Sequence, residues 1–247
     1  GRVGSQARHW WFSMIVSHGH RFIFLKTNKT AGTSVEIGLS RFCDHTEDII
    51  THLSPEEEAL RQEMGGYPSG LYAARWWQYS PADWYRRLVN GEPKELSSNH
   101  IPARKLAKRL PADVWNSYFR FCIERNPWDR VISQYFWRCR NLPEAQRPSI
   151  DQFLESSHVR SLKRKGYHLY TIRGQLQVDC ICRYENLEED LESVRQQLAL
   201  PGPIELPKTK STYRSDRRHY RDVLNERQRD RIAELFREEI ALIGYEF

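Results

Sequence analysis

The sequence predicts an α/β fold: a three-layer sandwich whose central, mainly parallel sheet is flanked by helices. Three observations predict it. Short runs rich in β-branched and aromatic residues alternate with helical sequence, the rhythm of strand–helix units around a parallel sheet. The clearest runs are RFIFLKT (21–27), YFRFCIER (118–125) and VDCICRY (178–184). A hydroxyl-rich turn with one glycine, KTNKTAGTS (26–34), joins the first run to a helix, giving a P-loop-like strand–loop–helix.

Helix starts follow in order. Ser54-Pro55-Glu56-Glu57 pairs a capping serine with proline at the first helical position and glutamate three residues on. Ser80-Pro81 and Asn126-Pro127 repeat the cap-then-proline signal, and Ser149–Gln152 and Asn225–Gln228 read as further capping boxes. Beyond Asn225, the spacing of Ile232, Leu235, Phe236, Ile240 and Ile243 predicts one long C-terminal amphipathic helix.

A length of 247 residues suits one large domain, and 39% hydrophobic with 12% aromatic residues supply a core and exclude wholesale disorder. Residues 1–19 read as an N-terminal extension and 20–247 as a single domain, with an irregular insertion at about 64–98 on the acceptor side. No apolar run reaches the ~18 residues of a membrane span, and the N-terminus carries no signal-peptide pattern. The five cysteines are scattered and odd in number, which reads as buried thiols in a reducing, cytoplasmic setting. Formal charge is +6, so an anionic partner is the first expectation; nucleic acid, acidic polysaccharide, anionic lipid and phosphorylated cofactors all satisfy it.

The turn at 26–34 narrows the choice. A strand, a glycine turn and a helix opening on Thr33-Ser34 present backbone N–H groups and hydroxyls to a phosphate or sulfate. The spelling is not that of a nucleoside-triphosphatase loop, where lysine follows the last glycine. Lys29 precedes Gly32, and no aspartate placed for Mg²⁺ follows an apolar run. A second motif lies at 118–137. Arg125 ends a strand and Ser133 falls nearly two turns into the helix begun by Asn126-Pro127, so a guanidinium and a hydroxyl can meet one phosphate.

Taken together, Lys29-Thr30-Ala31-Gly32-Thr33-Ser34 resembles the 5′-phosphosulfate loop, and Arg125-Asn126-Pro127…Arg130…Ser133-x-Tyr135 the 3′-phosphate motif, of sulfotransferases that use 3′-phosphoadenosine 5′-phosphosulfate (PAPS). The flavour is carbohydrate-type, like the bacterial members of sulfotransferase family 2. Thr27-Asn28 and Glu124 depart from the family spelling, which has Ile-Pro before the loop lysine and an apolar residue before Arg-Asn-Pro. The resemblance runs from about residue 20 to the end and takes in RYENLEEDL (183–191) and GYEF (244–247).

This resemblance implies sulfonate transfer from PAPS to an acceptor hydroxyl, most naturally on a carbohydrate, with a small alcohol or phenol as the other acceptor class. Lys29 would stabilise the leaving oxygen. The donor would be bound by Lys29, Thr30, Ala31, Gly32, Thr33, Ser34, Arg125 and Ser133. His100, between the two motifs, is placed for the general base, Glu57 and Glu58 or a carboxylate in 63–95 standing as the other candidates. The basic stretch PKTKSTYRSDRRHYR (207–221) reads as a flap over the donor, with Lys210, Ser211 and Arg214 as contacts, or as a solvated or nucleic-acid-binding loop. No nucleic-acid partner is expected, since the basic residues form neither a helix-turn-helix nor an RNP-like strand, and no metal is required. Aromatic residues at 76, 77, 79, 84 and 85 are candidates for stacking on an acceptor, and the basic run at 160–166 for attracting an anionic one.

Overall fold

The computed structural model describes residues 14–44, 46–69, 81–90, 101–207 and 219–247. Strands are β1 (Met14–Ser17), β2 (Phe22–Leu25), β3 (Ile49–Ile50), β4 (Phe119–Glu124), β5 (Thr171–Ile172), β6 (Gln175–Leu176) and β7 (Cys180–Arg183). Helices are α1 (Gly32–Ser40), α2 (Pro55–Glu63), α3 (Pro81–Asn90), α4 (Ala103–Arg109), α5 (Ala112–Ser117), α6 (Pro127–Cys139), α7 (Ile150–Leu154), α8 (Ser157–Arg164), α9 (Tyr167–Tyr170), α10 (Leu187–Gln197), α11 (Tyr220–Val223), α12 (Glu226–Leu235) and α13 (Arg237–Ile243).

Among the described residues the main sheet has five strands in the order β3-β1-β2-β4-β7. β2 pairs in parallel with β4, and β4 with β7; β1 alone runs against both its neighbours, so four strands point one way. Strand residues alternate between two cores, as the two-residue period requires. Ile23, Leu25 and Cys122 pack on one face with Leu106, Val114, Trp115 and Tyr170 from α4, α5 and α9. Phe22, Phe24, Phe121 and Ile123 pack on the other with Val35 and Leu39 of α1 and Leu191 and Val194 of α10. These are the three layers that the sequence predicts. A third cluster gathers Trp128, Val131 and Ile132 of α6 with Phe153, Leu162, Ile232 and Phe236.

Four of the five capping signals act as read; in the fifth, Ser80-Pro81, Ser80 lies outside the described residues. Ser54 with Glu57, Ser149 with Gln152 and Asn225 with Gln228 each close both arms of a capping box, and the Asn126 side chain caps α6 ahead of Pro127. All five cysteines are free and four are buried. Two readings change. Met14–Ser17, placed in the N-terminal extension, is β1: a four-residue strand held by two antiparallel partners, β2 across the turn at 18–21 and β3. The long C-terminal helix is two helices. Phe236 leaves helical geometry (φ −116°, ψ 24°) and inserts its fully buried ring into the third cluster, so α12 and α13 diverge there.

One position tests the packing of α1 against the 203–207 segment. A Cβ on Gly38 of α1 would sit 2.6 Å from the Glu205 carbonyl oxygen, a backbone atom that cannot swing away. Gly38→Ala is expected to destabilise the fold by roughly 1–3 kcal/mol, although alanine is the better helix former. Urea unfolding of the variant beside the wild type measures it.

Candidate functional site

The parallel strands β2, β4 and β7 end at one edge of the sheet, where α/β proteins bind ligands. After β2 the chain turns through Lys29 (φ 66°) and Ala31 (φ 61°), two non-glycine residues in left-handed geometry, which surrounding contacts must hold. Those contacts are present. The Thr27 hydroxyl donates to the Ile123 carbonyl of β4 and accepts from the Thr30 hydroxyl at 2.8 Å. The Asn28 amide donates to the Lys165 carbonyl at 3.1 Å. Gly32 is required by a close approach: a Cβ there would lie 2.5 Å from the Lys26 side chain. That lysine ends on the fully buried Glu36 (2.9 Å), which also binds Arg61 (3.1 Å) and Thr51.

Ala31 begins α1 with no side-chain cap and no acidic residue in the first turn. The first amide to find an intrahelical acceptor is that of Val35, so those of Gly32, Thr33 and Ser34 open towards the edge of the sheet, where they favour an anion.

Arg125 follows β4 directly. Its guanidinium binds Asp129 (2.6 Å), lies 4.1 Å from the centre of the Tyr184 ring and donates to the Lys29 carbonyl (3.3 Å). The two sequence motifs, 96 residues apart, are thus in direct contact. A cavity of about 670 Å³ opens between them, lined by Lys29, Ala31, Ser34, Arg125 and Ser133 and walled by Tyr184–Glu189, Leu206 and Pro207. This size lies within the ~300–1,000 Å³ typical of small-molecule sites.

Five of the predicted donor residues therefore share one cavity. Thr30 is buried with its hydroxyl turned to Thr27, and Gly32 packs on Lys26; neither side lines the cavity, nor does Thr33. His100, Lys210, Ser211 and Arg214 lie outside the described residues, as do the aromatic residues at 76, 77 and 79. Trp84 and Tyr85 are exposed on α3. Two other candidate bases are in structural use: Glu57 closes the α2 capping box, and Glu58 binds Arg61 (3.0 Å).

The wall at 184–189 carries no site reading from the sequence. A signal was there, since Tyr184 directly follows a strand parallel to the two that carry the motifs. Glu185 holds that wall in place: its carboxylate accepts from the Asn126 amide (2.7 Å) and the Tyr245 hydroxyl (3.3 Å). Trp137, one turn beyond Ser133, is a second unread feature. Its ring lies within cation–π range of Lys29 (5.2 Å), Arg138 (4.9 Å) and Arg140 (4.2 Å). Burial first, then Arg140, pushes Arg138 below its usual pKa; burial, Arg138 and Arg164 do the same to Lys165. Arg130, by contrast, is no surface arginine. It is fully buried, away from the cavity, between Glu124 (2.5 Å) and Glu239 (3.1 Å).

A strand–loop–helix turn with its amides open thus faces, across one cavity, an arginine and a serine from the neighbouring parallel strand and its helix. The model of the Sulfotransferase family matches residues 12–246, and the chain belongs to that family. It is a sulfotransferase of mixed α/β architecture. An uncharacterized protein from Archaeoglobus fulgidus is 30% identical over 107 residues, which span 43% of this chain and 88% of that protein.

The Thr27 cross-link is open to direct test. Thr27→Val keeps the shape but leaves the Ile123 carbonyl and the Thr30 hydroxyl without this partner, and is expected to cost about 1–3 kcal/mol. Thr27→Ser should retain most of that stability in the same urea titration.

Proposed function

We propose that the protein transfers a sulfonate from PAPS to an acceptor hydroxyl, most naturally on a carbohydrate. The observation that carries this reading is the meeting of Lys29, Ser34, Arg125 and Ser133 around one cavity, with Arg125 bonded to the backbone of the loop that bears Lys29. The donor is polyanionic, and each part of it finds a fitting group. The amides of Gly32, Thr33 and Ser34, the Ser34 hydroxyl and the turn at Thr30-Ala31 suit the 5′-phosphosulfate. The Arg125 guanidinium and Ser133 hydroxyl suit the 3′-phosphate. Tyr184, Leu206 and Pro207 offer an apolar wall to the adenine.

Sulfonate transfer is an in-line displacement in which the protein positions groups and stabilises charge. Negative charge grows on the bridging oxygen as the S–O bond lengthens, and the Lys29 ammonium is the cation placed to meet it. Trp137 beneath Lys29 orients that ammonium without neutralising it. His100 would take the proton of the acceptor hydroxyl as the new S–O bond forms. Lys210, Ser211 and Arg214 would close over the donor. No metal is assigned a role, because the transferred group carries less charge than a phosphoryl. The cations around Trp137 favour an acceptor that itself bears negative charge. A cytoplasmic setting accords with five free thiols.

Three measurements test the reading. 3′-Phosphoadenosine 5′-phosphate (PAP) should raise the melting temperature well above the shift given by ATP with Mg²⁺; equal shifts would remove the donor assignment. Lys29→Ala should lower kcat by on the order of 10²–10³ while PAP affinity changes far less, the mark of a contact that matters in the transition state. His100→Ala should abolish turnover and leave PAP binding nearly intact. Wild-type turnover in that variant would place the base elsewhere.

A further inference from the structure

Directly behind the donor site lies a charge cluster that the transfer chemistry does not use. Arg130 of α6 is flanked by two carboxylates, Glu124 of β4 and Glu239 of α13, all three fully buried. One guanidinium against two carboxylates leaves a surplus of one negative charge if both are ionised, and burying an uncompensated charge is costly. Two carboxylate oxygens, Glu124 Oε1 and Glu239 Oε2, have no hydrogen-bond partner among the described residues, and neither has the buried Tyr170 hydroxyl. Such a set is relieved by one proton shared between the carboxylates.

The cluster touches both halves of the donor site. Glu124 Oε2 accepts from the Arg125 amide (3.3 Å), so it is covalently and electrostatically adjacent to the arginine assigned to the 3′-phosphate. On the other side Gly166 packs against Arg130 so closely that a Cβ would lie 2.8 Å from Nη1, 2.9 Å from Nη2 and 3.1 Å from Glu239 Oε1. The Tyr167 amide then donates to Glu239 Oε1 (3.4 Å). The residue before that turn, Lys165, supplies the carbonyl that holds the Asn28 amide of the phosphosulfate loop. The 160–166 run thus has a structural task that its basic side chains do not reveal.

We propose that Glu124, Arg130 and Glu239 form a positioning cluster for the donor site: it anchors the Gly166 turn behind the loop, and its shared proton keeps net negative charge away from Arg125. This rests on the donor reading above. Burial, reinforced by Glu239 and opposed by Arg130, raises Glu124 to about 7, so the proton is present below neutrality and lost above it. The other titratable groups around it are Tyr170 from α9, Cys122 from β4 and Tyr245 near the C-terminus, the last in turn facing Glu185. Burial drives all three upward, so they stay neutral through this range. The sign follows. Raising the pH through about 7 takes the cluster from neutral to a net charge of −1 next to Arg125, and a polyanionic donor must bind more weakly.

The test is calorimetric titration of PAP into the protein at several pH values between about 6 and 8.5, for wild type and Glu239→Gln. Gln keeps the shape and removes the Glu239 charge that helps raise Glu124, so the Glu124 proton is lost at lower pH and the cluster is neutral, not negative, once it has gone. The phosphate ionisation of PAP itself, near pH 6, is common to both proteins and cancels in their ratio. The wild-type dissociation constant relative to that of the variant should rise roughly fivefold across this range, the order of effect one added nearby charge has on a polyanion. Glu124→Gln, which removes the other carboxylate, should flatten the dependence in the same way, and Gly166→Ala should weaken PAP binding several-fold at every pH. No PAP binding by the wild type would overturn the donor reading and this proposal together. PAP binding by the wild type with a pH-independent ratio for both Gln variants would overturn the proposal alone.

Discussion

The site depends on one junction, where the turn after β2 is fastened to the end of β4. Sheet pairing alone sets these strands side by side, Leu25 opposite Cys122, but says nothing about the loops beyond their ends. Thr27 and Arg125 extend the register past the sheet. The Thr27 hydroxyl reaches the Ile123 carbonyl, and Arg125 reaches back to the Lys29 carbonyl. At and just beyond these ties the chain passes through two left-handed residues, a conformation costing of order 1–3 kcal/mol each, which persists only where the surroundings over-determine it. That expenditure gives the site its direction. Lys29 faces the cavity while α1 begins with its amides open, and a relaxed turn would give up one or the other.

Beneath the junction the protein uses buried charge where a simpler core would use hydrocarbon. Lys26, Glu36 and Arg61 lie on the α1 side, and Glu124, Arg130 and Glu239 on the α6 side. Buried ion pairs rarely stabilise a fold beyond what packed apolar groups would achieve. Their value is geometric: a guanidinium held between two carboxylates accepts few alternative arrangements. The two glycines Gly32 and Gly166 are the counterpart, each surrendering a side chain so that a charged one can come within 3 Å of where its Cβ would be. Rigidity of this kind suits a reaction in which the enzyme holds partners in line and supplies fixed charge.

What could be read from the sequence, and what could not, divides along locality. The strands at 22–25, 119–124 and 180–183, the capping boxes and the paired motifs are local patterns of chemistry, and each stands where the pattern puts it. β1 escaped because three apolar residues and a serine make a strand only when partners lie beside them. The split between α12 and α13 escaped because hydrophobic spacing survives a bend at Phe236 that only packing explains. Within the motifs, residue type revealed chemistry but not facing. Thr30 and Ser34 look alike as hydroxyl donors, yet one turns into the protein and the other into the cavity. Arg125 and Arg130 look alike as phosphate-binding arginines, and one is structural.

The two departures from the family spelling prove informative on the same ground. Ile-Pro before the lysine would stiffen the turn through the backbone; Thr27-Asn28 instead fixes it by hydrogen bonds, to Ile123 on one side and Lys165 on the other. An apolar residue before Arg-Asn-Pro would leave Arg130 without its nearest partner; Glu124 supplies it. Each departure replaces a local constraint with a tertiary one. The Lys165 carbonyl that binds Asn28 leads into the Gly166 turn that packs on Arg130, so the two substitutions meet through a single stretch of chain. They are best understood together, as parts of one arrangement that fixes the loop after β2 through the C-terminal helices rather than through its own backbone stiffness.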